Sequence, residues 1–152
     1  DGALRRGACA ARRKVLRARV LIDEYFRSRD VDGAGVIFSG AYVRFFEIAE
    51  SELFRSAGFP YSVLYDRFDC WLPRVKYVCE FRSPARLDDL LHIEVWFKRL
   101  GESSMTLAFE VATAAGVRVA DCEIVLVCVD RKTFRSRPLP AELRISLAPF
   151  SG

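Results

Sequence analysis

DVDGAGVIFSGAY, at residues 30–42, is the stretch that decides how this chain folds, because it leads directly into a helix. Its two aspartates are followed by two glycines, and Ser39 then precedes a repeating apolar pattern. The apolar positions of that pattern are Tyr42, Phe45, Phe46, Ala49 and Leu53. Spacings of three and four residues form one stripe of an α-helix. The stripe predicts an amphipathic helix over about residues 39–57.

Both ends of this helix carry their own signals. Ser39 is placed as an N-cap, whose hydroxyl accepts a hydrogen bond from an otherwise unpaired amide of the first turn. Gly58 is placed as the residue just after the helix, where a left-handed backbone is common, and Pro60 stops any continuation. A second, shorter helical turn or an irregular connection is expected over residues 61–69.

The start of the stretch also indicates chemistry. Asp30 and Asp32 are carboxylates in a glycine-bearing loop, and the loop runs into a helix N-terminus, which carries positive potential. This arrangement offers a base or nucleophile beside a site that stabilises negative charge. An ordinary turn is the alternative, because Asp and Gly are common turn residues.

Composition describes a globular chain of one domain. It has 152 residues, of which 51% are hydrophobic and 29% charged, enough for a real core. No apolar run approaches the roughly 18 residues of a membrane span. Residues 1–14 hold five of the 24 basic residues and one of the 20 acidic residues, so the remainder is neutral. We therefore expect a flexible basic arm at 1–14, a single domain at 15–152, and no nucleic-acid partner.

The five cysteines are scattered and include no Cys-x-x-Cys pair, and the chain has one histidine, His92. This set is a poor zinc site, so no metal is predicted. Dispersed thiols among apolar residues are typical of core side chains in a reducing compartment, and we expect a cytoplasmic protein. His92 lies in a strand pattern and is interpreted as a structural residue.

The remainder of the chain alternates in the manner of β-strands. The predicted strands cover residues 15–26, 71–81, 90–100, 105–112 and 117–129. One amphipathic helix packed on an antiparallel sheet is an α+β layer pair. Such a sheet keeps open edges, which predicts a homo-oligomer, either a dimer or a tetramer.

Several motifs in fixed order indicate a family. They are Asp30-x-Asp32-x-x-Gly35-Val36, Tyr42, Phe46-Glu47-x-Ala49, Arg82-x-Pro84-Ala85-Arg86-x-x-Asp89, Gly101-x-Ser103-Ser104 and Val129-Asp130. Over about residues 17–144 the chain resembles hotdog-fold acyl-CoA thioesterases of the 4-hydroxybenzoyl-CoA thioesterase type. The resemblance implies an α+β hotdog fold, with an antiparallel five-stranded sheet wrapped around one long central helix. It also implies hydrolysis of an acyl-CoA substrate to free acid and CoA, without a cofactor.

The resemblance assigns catalytic roles to three residues. Asp32 is implied to be the catalytic carboxylate, which either attacks the thioester carbonyl or activates water. The backbone amide of Ser39 is implied to polarise the carbonyl oxygen, and Gly35 to allow close backbone approach to the acyl carbon. The roles agree with general chemistry, since helix N-terminal amides stabilise a developing oxyanion.

The predicted substrate-binding residues are Tyr42, Glu47, Arg86, Arg99, Ser103 and Ser104. Surface charge explains the arginines equally well, an exposed or interface charge explains Glu47, and a hairpin turn explains the serines. The aromatic residues that could line an acyl pocket, or belong to the core, are Phe38, Phe59, Tyr61, Tyr65 and Trp71.

Two positions depart from the family pattern. Many relatives carry His-x-Asn-Tyr where this chain has Ser39-Gly40-Ala41-Tyr42, so no mechanism through that histidine operates here. Glu50 stands where relatives often have Arg. Two further readings remain open: a thioesterase that acts on acyl carrier protein, and a non-catalytic acyl-CoA-binding domain in which Asp32 is only a turn residue.

Overall fold

The computed structural model describes residues 12–16, 19–25, 27–37 and 39–152, with backbone alone for 12–16. Most of the predicted basic arm, residues 1–11, and the candidate pocket residue Phe38 lie outside the described residues.

The described chain forms one main sheet and one long helix. The strands are β1 (Arg12–Leu16), β2 (Arg19–Tyr25), β3 (Cys70–Trp71), β4 (Arg74–Phe81), β5 (Leu90–Leu100), β6 (Ser104–Thr113), β7 (Arg118–Val127) and β8 (Val129–Asp130). The helices are α1 (Ala41–Ser56), α2 (Tyr61–Phe68) and α3 (Ala141–Leu147), with 3-10 turns at Ser28–Asp30 and Ala148–Phe150. The main sheet has the order β1-β2-β5-β6-β7-β4 with antiparallel neighbours, and β3 pairs with β8.

The N-terminal strand prediction requires a correction. Residues 15–26 were expected as one strand, but the structure has the pair β1 and β2, joined in register from Arg12 opposite Asp23 to Leu16 opposite Arg19. Residues 12–14 of the predicted arm therefore belong to the domain. Five strands, β2, β5, β6, β7 and β4, form the predicted sheet, and β1 adds a sixth at the β2 edge. Backbone pairing holds β1 there, which its arginine-rich sequence does not reveal.

Two other predicted strands are also divided. The strand expected over residues 71–81 breaks between β3 and β4 at Pro73, which has no amide hydrogen for a sheet ladder. The strand expected over 117–129 breaks at Cys128, between β7 and β8. The strand expected over 90–100 matches β5.

The core lies between α1 and the inner face of the sheet. The predicted stripe of α1 is confirmed, since its five apolar residues are at most 3% exposed. They pack among the inward residues of the central strands, including Ile93, Val95, Leu107 and Phe109. Burial of these side chains contributes about 1.5–3 kcal/mol each.

The start of α1 differs from prediction. The helix begins at Ala41 and is preceded by Gly40, which has no side chain to cap it. The Ser39 hydroxyl makes no hydrogen bond to another described residue, so the predicted side-chain cap is wrong, although the Ser39 carbonyl accepts from the Tyr42 amide at 3.3 Å. Gly40 has helical backbone angles, which moves Ser39 one residue too far from the first turn.

The end of α1 follows the prediction. Gly58 has φ +89°, a left-handed backbone that glycine adopts without a side-chain clash. Its amide donates to Arg55, and the amide of Phe59 donates to Phe54 at 3.0 Å. This pair of hydrogen bonds is a Schellman motif, which satisfies the last carbonyls of the helix.

Strand β4 is an exposed edge. The predicted alternation gives the correct register, since Tyr77, Cys79 and Phe81 lie opposite inward residues of β7. The alternation also predicts that these odd-numbered side chains are buried, which is wrong, because Phe81 is 51% exposed and Tyr77 40% exposed. The cause is the position of α1, which packs on β2 and β5 at the other side of the sheet.

No helix within the described ranges is long and apolar enough to cross a membrane.

Candidate functional site

The segment of residues 27–37, here called the site loop, is held in a fixed shape by its own backbone. Val31 pairs with Ile37, and the Asp32 amide donates to the Val36 carbonyl at 2.9 Å. The Gly35 amide donates to the Asp32 carbonyl at 3.1 Å. Gly35 has φ +76°, so glycine is needed at this position for the turn itself.

A second segment braces the site loop. Val36 pairs with Arg86, and the Ile37 amide donates to the Ala85 carbonyl at 3.0 Å. The Arg86 amide in turn donates to the Asp89 carboxylate at 2.8 Å, which closes a tight turn. The predicted motif around Arg86 therefore lies directly against the predicted motif around Asp32.

Asp32 is exposed at the tip of the site loop. Its Oδ1 accepts a hydrogen bond from the Ala34 amide at 2.8 Å, which forms an Asx-type turn. Its other carboxylate oxygen has no hydrogen-bond partner among the described residues. One oxygen therefore shapes the loop, while the other is available to a substrate.

The start of α1 opens onto a cavity of about 260 Å³. Its walls are Ile37, Ser39, Tyr42, Phe81, Arg82, Ser83 and Pro84. Tyr42 packs its ring 5.2 Å from that of Phe81 and is 3% exposed. Burial, with a smaller contribution from Cys79, raises the pKa of Tyr42, so the phenol stays neutral. Asp32 does not line this cavity.

A larger cavity of about 660 Å³ lies on the outer face of the sheet, away from α1. Its charged walls are mostly paired: Lys98 contacts Glu123, and Arg118 contacts Asp121 and Glu110. It contains no helix N-terminus or loop carboxylate. The smaller cavity is therefore the better candidate for chemistry, despite its size.

The structure brings some predicted site residues together and separates others. Asp32, Gly35, Ser39, Tyr42 and Arg86 all lie on the site loop, on the segment that braces it, or at the start of α1. The Arg86 side chain is exposed and makes no ion pair with another described residue.

Arg99, Ser103 and Ser104 lie at the opposite end of the sheet within one chain. Strand β5 begins near the site loop at Leu90, and Arg99 is nine residues further on, about 30 Å at the usual rise of a strand. Within a single chain these residues are therefore remote from Asp32, and their role in binding CoA stays a prediction. The sequence alone does not show which end of a strand lies beside a distant loop, so it could not place Arg99 relative to Asp32.

Glu47 is exposed on α1, whereas Glu50, one turn later, is fully buried. Arg74 Nη2 lies 2.7 Å from Glu50 Oε1, and the Tyr61 hydroxyl donates to the same oxygen. Burial raises the pKa of Glu50, while Tyr61 and Arg74 lower it. We call Glu50, Tyr61 and Arg74 the buried acid cluster.

Sequence reasoning missed this cluster, although a signal existed. Glu50 is four residues after Phe46 and four before Phe54, so it lies on an apolar face of α1. A carboxylate there predicts burial with a cationic partner. Its partner Arg74 is 24 residues away, at the start of β4, and local spacing cannot identify it.

The four described aromatic residues that were proposed for an acyl pocket pack mainly on one another. Tyr61 stacks on Tyr65 at 5.2 Å, and Tyr65 contacts Trp71 at 4.9 Å. Phe59 contacts Phe68 at 5.2 Å. None of them lines the cavity beside Ser39. Their packing favours the core alternative over the pocket.

The described cysteines, Cys70, Cys79, Cys122 and Cys128, are free thiols. Within the part of the chain that the structure describes, no three metal-ligating side chains gather into a site. His92 is hydrogen-bonded to Asp23, its neighbour across β2 and β5.

Comparison with known proteins places these observations in a family. Residues 26–147 match the model of the thioesterase-like superfamily. The chain is 30% identical over 114 residues to the acyl-CoA thioester hydrolase YbgC of Escherichia coli O6:H1, covering 75% of this chain and 84% of that protein.

Solved structures with similar folds include a 1,4-dihydroxy-2-naphthoyl-CoA thioesterase from Synechocystis, with a TM-score of 0.79 at 19% identity, covering 86% of this chain and 96% of that one. The BH1999 gentisyl-coenzyme A thioesterase has a TM-score of 0.74 at 24% identity, covering 84% of this chain and 98% of that one. At these identities the likeness concerns the fold alone. The predicted hotdog fold is confirmed.

Proposed function

The chain belongs to the thioesterase-like superfamily and is a hotdog-fold thioesterase, and on this basis we propose that it hydrolyses an acyl-CoA thioester to the free acid and CoA. The name of its relative, an acyl-CoA thioester hydrolase, supports this substrate class. The observation that carries the proposal is the site loop, which holds a carboxylate with one unpaired oxygen and leads along the chain into the start of α1.

Asp32 is proposed as the reactive carboxylate, by one of two routes. As a nucleophile, its free oxygen forms a bond to the acyl carbon and the CoA thiolate leaves; water then hydrolyses the resulting anhydride. As a general base, it takes a proton from a water molecule while the water oxygen attacks the acyl carbon. The thiolate accepts a proton as CoA is released. Neither route uses a metal or a redox cofactor.

The Ser39 amide is proposed as the donor to the carbonyl oxygen. Ser39 lines the cavity at the start of α1, where unpaired amides and the helix dipole favour negative charge. Negative charge develops on that oxygen only as the tetrahedral intermediate forms, so the amide lowers the barrier more than it stabilises the bound substrate. Gly35 and Tyr42 would shape the approach to the acyl carbon.

Assembly is part of the proposal. A single chain leaves both Asp32 and the apolar edge strand β4 exposed, and exposed edges are normally paired or covered. We propose a homodimer formed through β4, with a tetramer as the further option. The CoA site would then combine residues from two copies of the chain. Arg86 and Glu47 would contact CoA together with Arg99, Ser103 and Ser104 of another copy. A cytoplasmic location stays a prediction from the free cysteines.

Two alternative functions are a non-catalytic acyl-CoA-binding domain and a thioesterase that acts on acyl carrier protein. The hydrogen bond from Ala34 to Asp32 is what a simple turn needs, which favours an acyl-CoA-binding domain without catalysis. The acyl carrier remains open as well, because CoA and acyl carrier protein present the same thioester chemistry.

The deciding experiment measures thiol release from short, long, branched and aromatic acyl-CoAs, and from the matching acyl carrier protein thioesters. Asp32→Asn should lower turnover by roughly 10²–10⁴-fold, because the amide can neither attack nor accept a proton. Acyl-CoA binding and melting temperature should be nearly unchanged. Asp88→Asn, in an exposed turn, is the matched control and should retain full activity. Hydrolysis by Asp32→Asn within tenfold of the wild type would remove Asp32 from the mechanism, and binding of acyl-CoA without thiol release by the wild type would favour the binding-domain alternative.

A further inference from the structure

Asp30 differs from Asp32 in every structural respect, although one residue separates them. Asp30 is 3% exposed, while Asp32 is exposed. Its Oδ2 accepts from the Arg27 amide at 3.0 Å, and its own amide donates to the Arg27 carbonyl at 2.9 Å. A buried carboxylate requires such partners, because loss of water around a charge is costly.

The principal charged partner of Asp30 comes from α1. Arg44 Nη2 lies 2.8 Å from Asp30 Oδ2, a charge-assisted hydrogen bond across fourteen residues of chain. The Arg44 guanidinium also lies 4.5 Å over the Phe45 ring, which fixes its orientation. Arg29 is the other cation nearby, but its Nε is 4.0 Å from Oδ1 and its side chain is mostly exposed.

This ion pair links the two parts of the proposed chemistry. Asp30 lies two residues before Asp32, at the start of the tight turn, and Arg44 lies on the first turns of the helix that follows Ser39. On its other side the site loop is tied to Ala85 and Arg86. The loop is therefore clamped from two directions, and the Asp30–Arg44 ion pair is the clamp that ties it to α1.

We infer that Arg44 is a positioning residue for thioester hydrolysis: through Asp30 it fixes the Asp32 carboxylate relative to the amide at the start of α1. The inference rests on the proposed function. Arg44 is bonded to Asp30 and is not among the residues that line the cavity beside Ser39. It acts by fastening the start of the site loop to α1, which helps to set the distance between the Asp32 carboxylate and the Ser39 amide.

The main contribution of a buried ion pair such as Asp30–Arg44 is to fix the positions of the groups it joins, rather than to raise the free energy of unfolding. Buried ion pairs contribute little net stability compared with apolar side chains of similar size, because both charges lose water. They do select one arrangement among several compact ones. A carboxylate displaced by about 1 Å from its productive position can lose about 10²-fold in rate.

The test compares Arg44→Met with Arg44→Lys and with Arg55→Met. Methionine keeps an apolar contact with Phe45 and removes the charge, so kcat should fall by about 10–100-fold with KM within about threefold. Arg44→Lys restores the charge and should recover most of the loss. Arg55 lies on the same helix in an exposed pair with Glu52 at 3.1 Å, and Arg55→Met should leave kcat unchanged. Turnover of Arg44→Met within threefold of the wild type overturns the inference, as does an equal loss in Arg55→Met.

A double-mutant cycle tests whether Arg44 affects turnover through Asp30. If Arg44 acts through Asp30, then Asp30→Asn combined with Arg44→Met should be no slower than the worse single variant, within about twofold. Fully additive losses would show that the two residues act separately and would overturn the inference.

Hydrogen exchange separates this inference from the proposed function. The amides of Asp32, Gly35 and Ile37 are bonded within the site loop or to its brace, so they report loop order without any substrate. Exchange should be faster in Arg44→Met and Asp30→Asn, and unchanged in Arg55→Met. Unchanged exchange in both loop variants overturns the inference. An active Asp32→Asn variant would instead overturn the proposed role of Asp32, while faster exchange would still establish the clamp.

Discussion

The site loop and the buried acid cluster use similar residues in opposite ways. In the site loop the buried carboxylate, Asp30, serves as an anchor, and the exposed one, Asp32, keeps an oxygen free. In the buried acid cluster the carboxylate itself is enclosed: Glu50 is 0% exposed, and Arg74 and Tyr61 occupy its oxygens. One arrangement leaves a carboxylate accessible to a substrate, and the other leaves none. We therefore expect changes in the site loop to alter activity, even where loss of the Arg44 charge also lowers stability, and changes in the cluster to alter stability alone.

The largest expected effect comes from removing the Ser39 backbone amide hydrogen, and a second variant that removes only the Ser39 side-chain hydroxyl serves as the comparison. Ser39→Pro removes the amide hydrogen just before the helix start, so turnover should fall by roughly 10²–10³-fold. Ser39→Ala keeps the amide, and because the hydroxyl makes no capping bond, both activity and melting temperature should be nearly unchanged.

Thiol release and circular dichroism check this pair of variants. The proline variant must first show an intact fold by thermal melting. Equal turnover in the two variants would remove the amide from the mechanism, and an inactive alanine variant would assign chemistry to the hydroxyl.

Breaking the buried acid cluster should affect stability instead. Arg74→Met leaves the Glu50 charge buried without a counter-charge, which should lower the free energy of unfolding by about 3 kcal/mol. Arg67→Met is the matched control, since its pair with Glu142 at 2.7 Å is exposed and should contribute under about 1 kcal/mol. Denaturant titration measures both. Equal losses in the two variants would contradict the distinction between the two ion pairs.

The pH dependence of that loss should follow from Glu50. Burial raises the pKa of Glu50 in the folded protein, and removing Arg74 takes away a group that lowers it. The folded variant then binds a proton more readily than the unfolded chain, so its stability is highest below the ordinary carboxyl pKa and falls as pH rises through the folded value. The deficit of Arg74→Met should shrink on acidification. A constant deficit from pH 7 to pH 5 would show that Glu50 is not its cause.

A smaller effect is expected in the edge strand β4, where a substitution tests the proposed dimer. Val78 is exposed in β4, and a lysine there opposes edge-to-edge association. Wild-type protein should be an even-numbered oligomer of the 17.3 kDa chain by light scattering. Val78→Lys should shift the population toward lower mass at micromolar concentration. A monomeric wild type would refute the proposed dimer and, with it, a site completed by a second copy.

The sequence by itself determined the parts of this protein that depend on short spacings. The stripe of α1, the left-handed Gly58, the bounds of β5 and the Asp32–Gly35 turn all follow from residues within one or two turns of each other. Periodicity and glycine conformation are local properties of the backbone, so they can be read without a fold.

Only the tertiary structure decided which distant groups meet. Asp30 with Arg44, Glu50 with Arg74 and the uncovered face of β4 all depend on where α1 rests on the sheet, and the remote position of Arg99 depends on which end of β5 meets the site loop. The helix packs on β2 and β5. This placement buries the Glu50 carboxylate, leaves the Asp32 carboxylate accessible and leaves the edge strand β4 uncovered. The physical reason is that burial and long-range ion pairs are properties of packing, which no local pattern of residues contains.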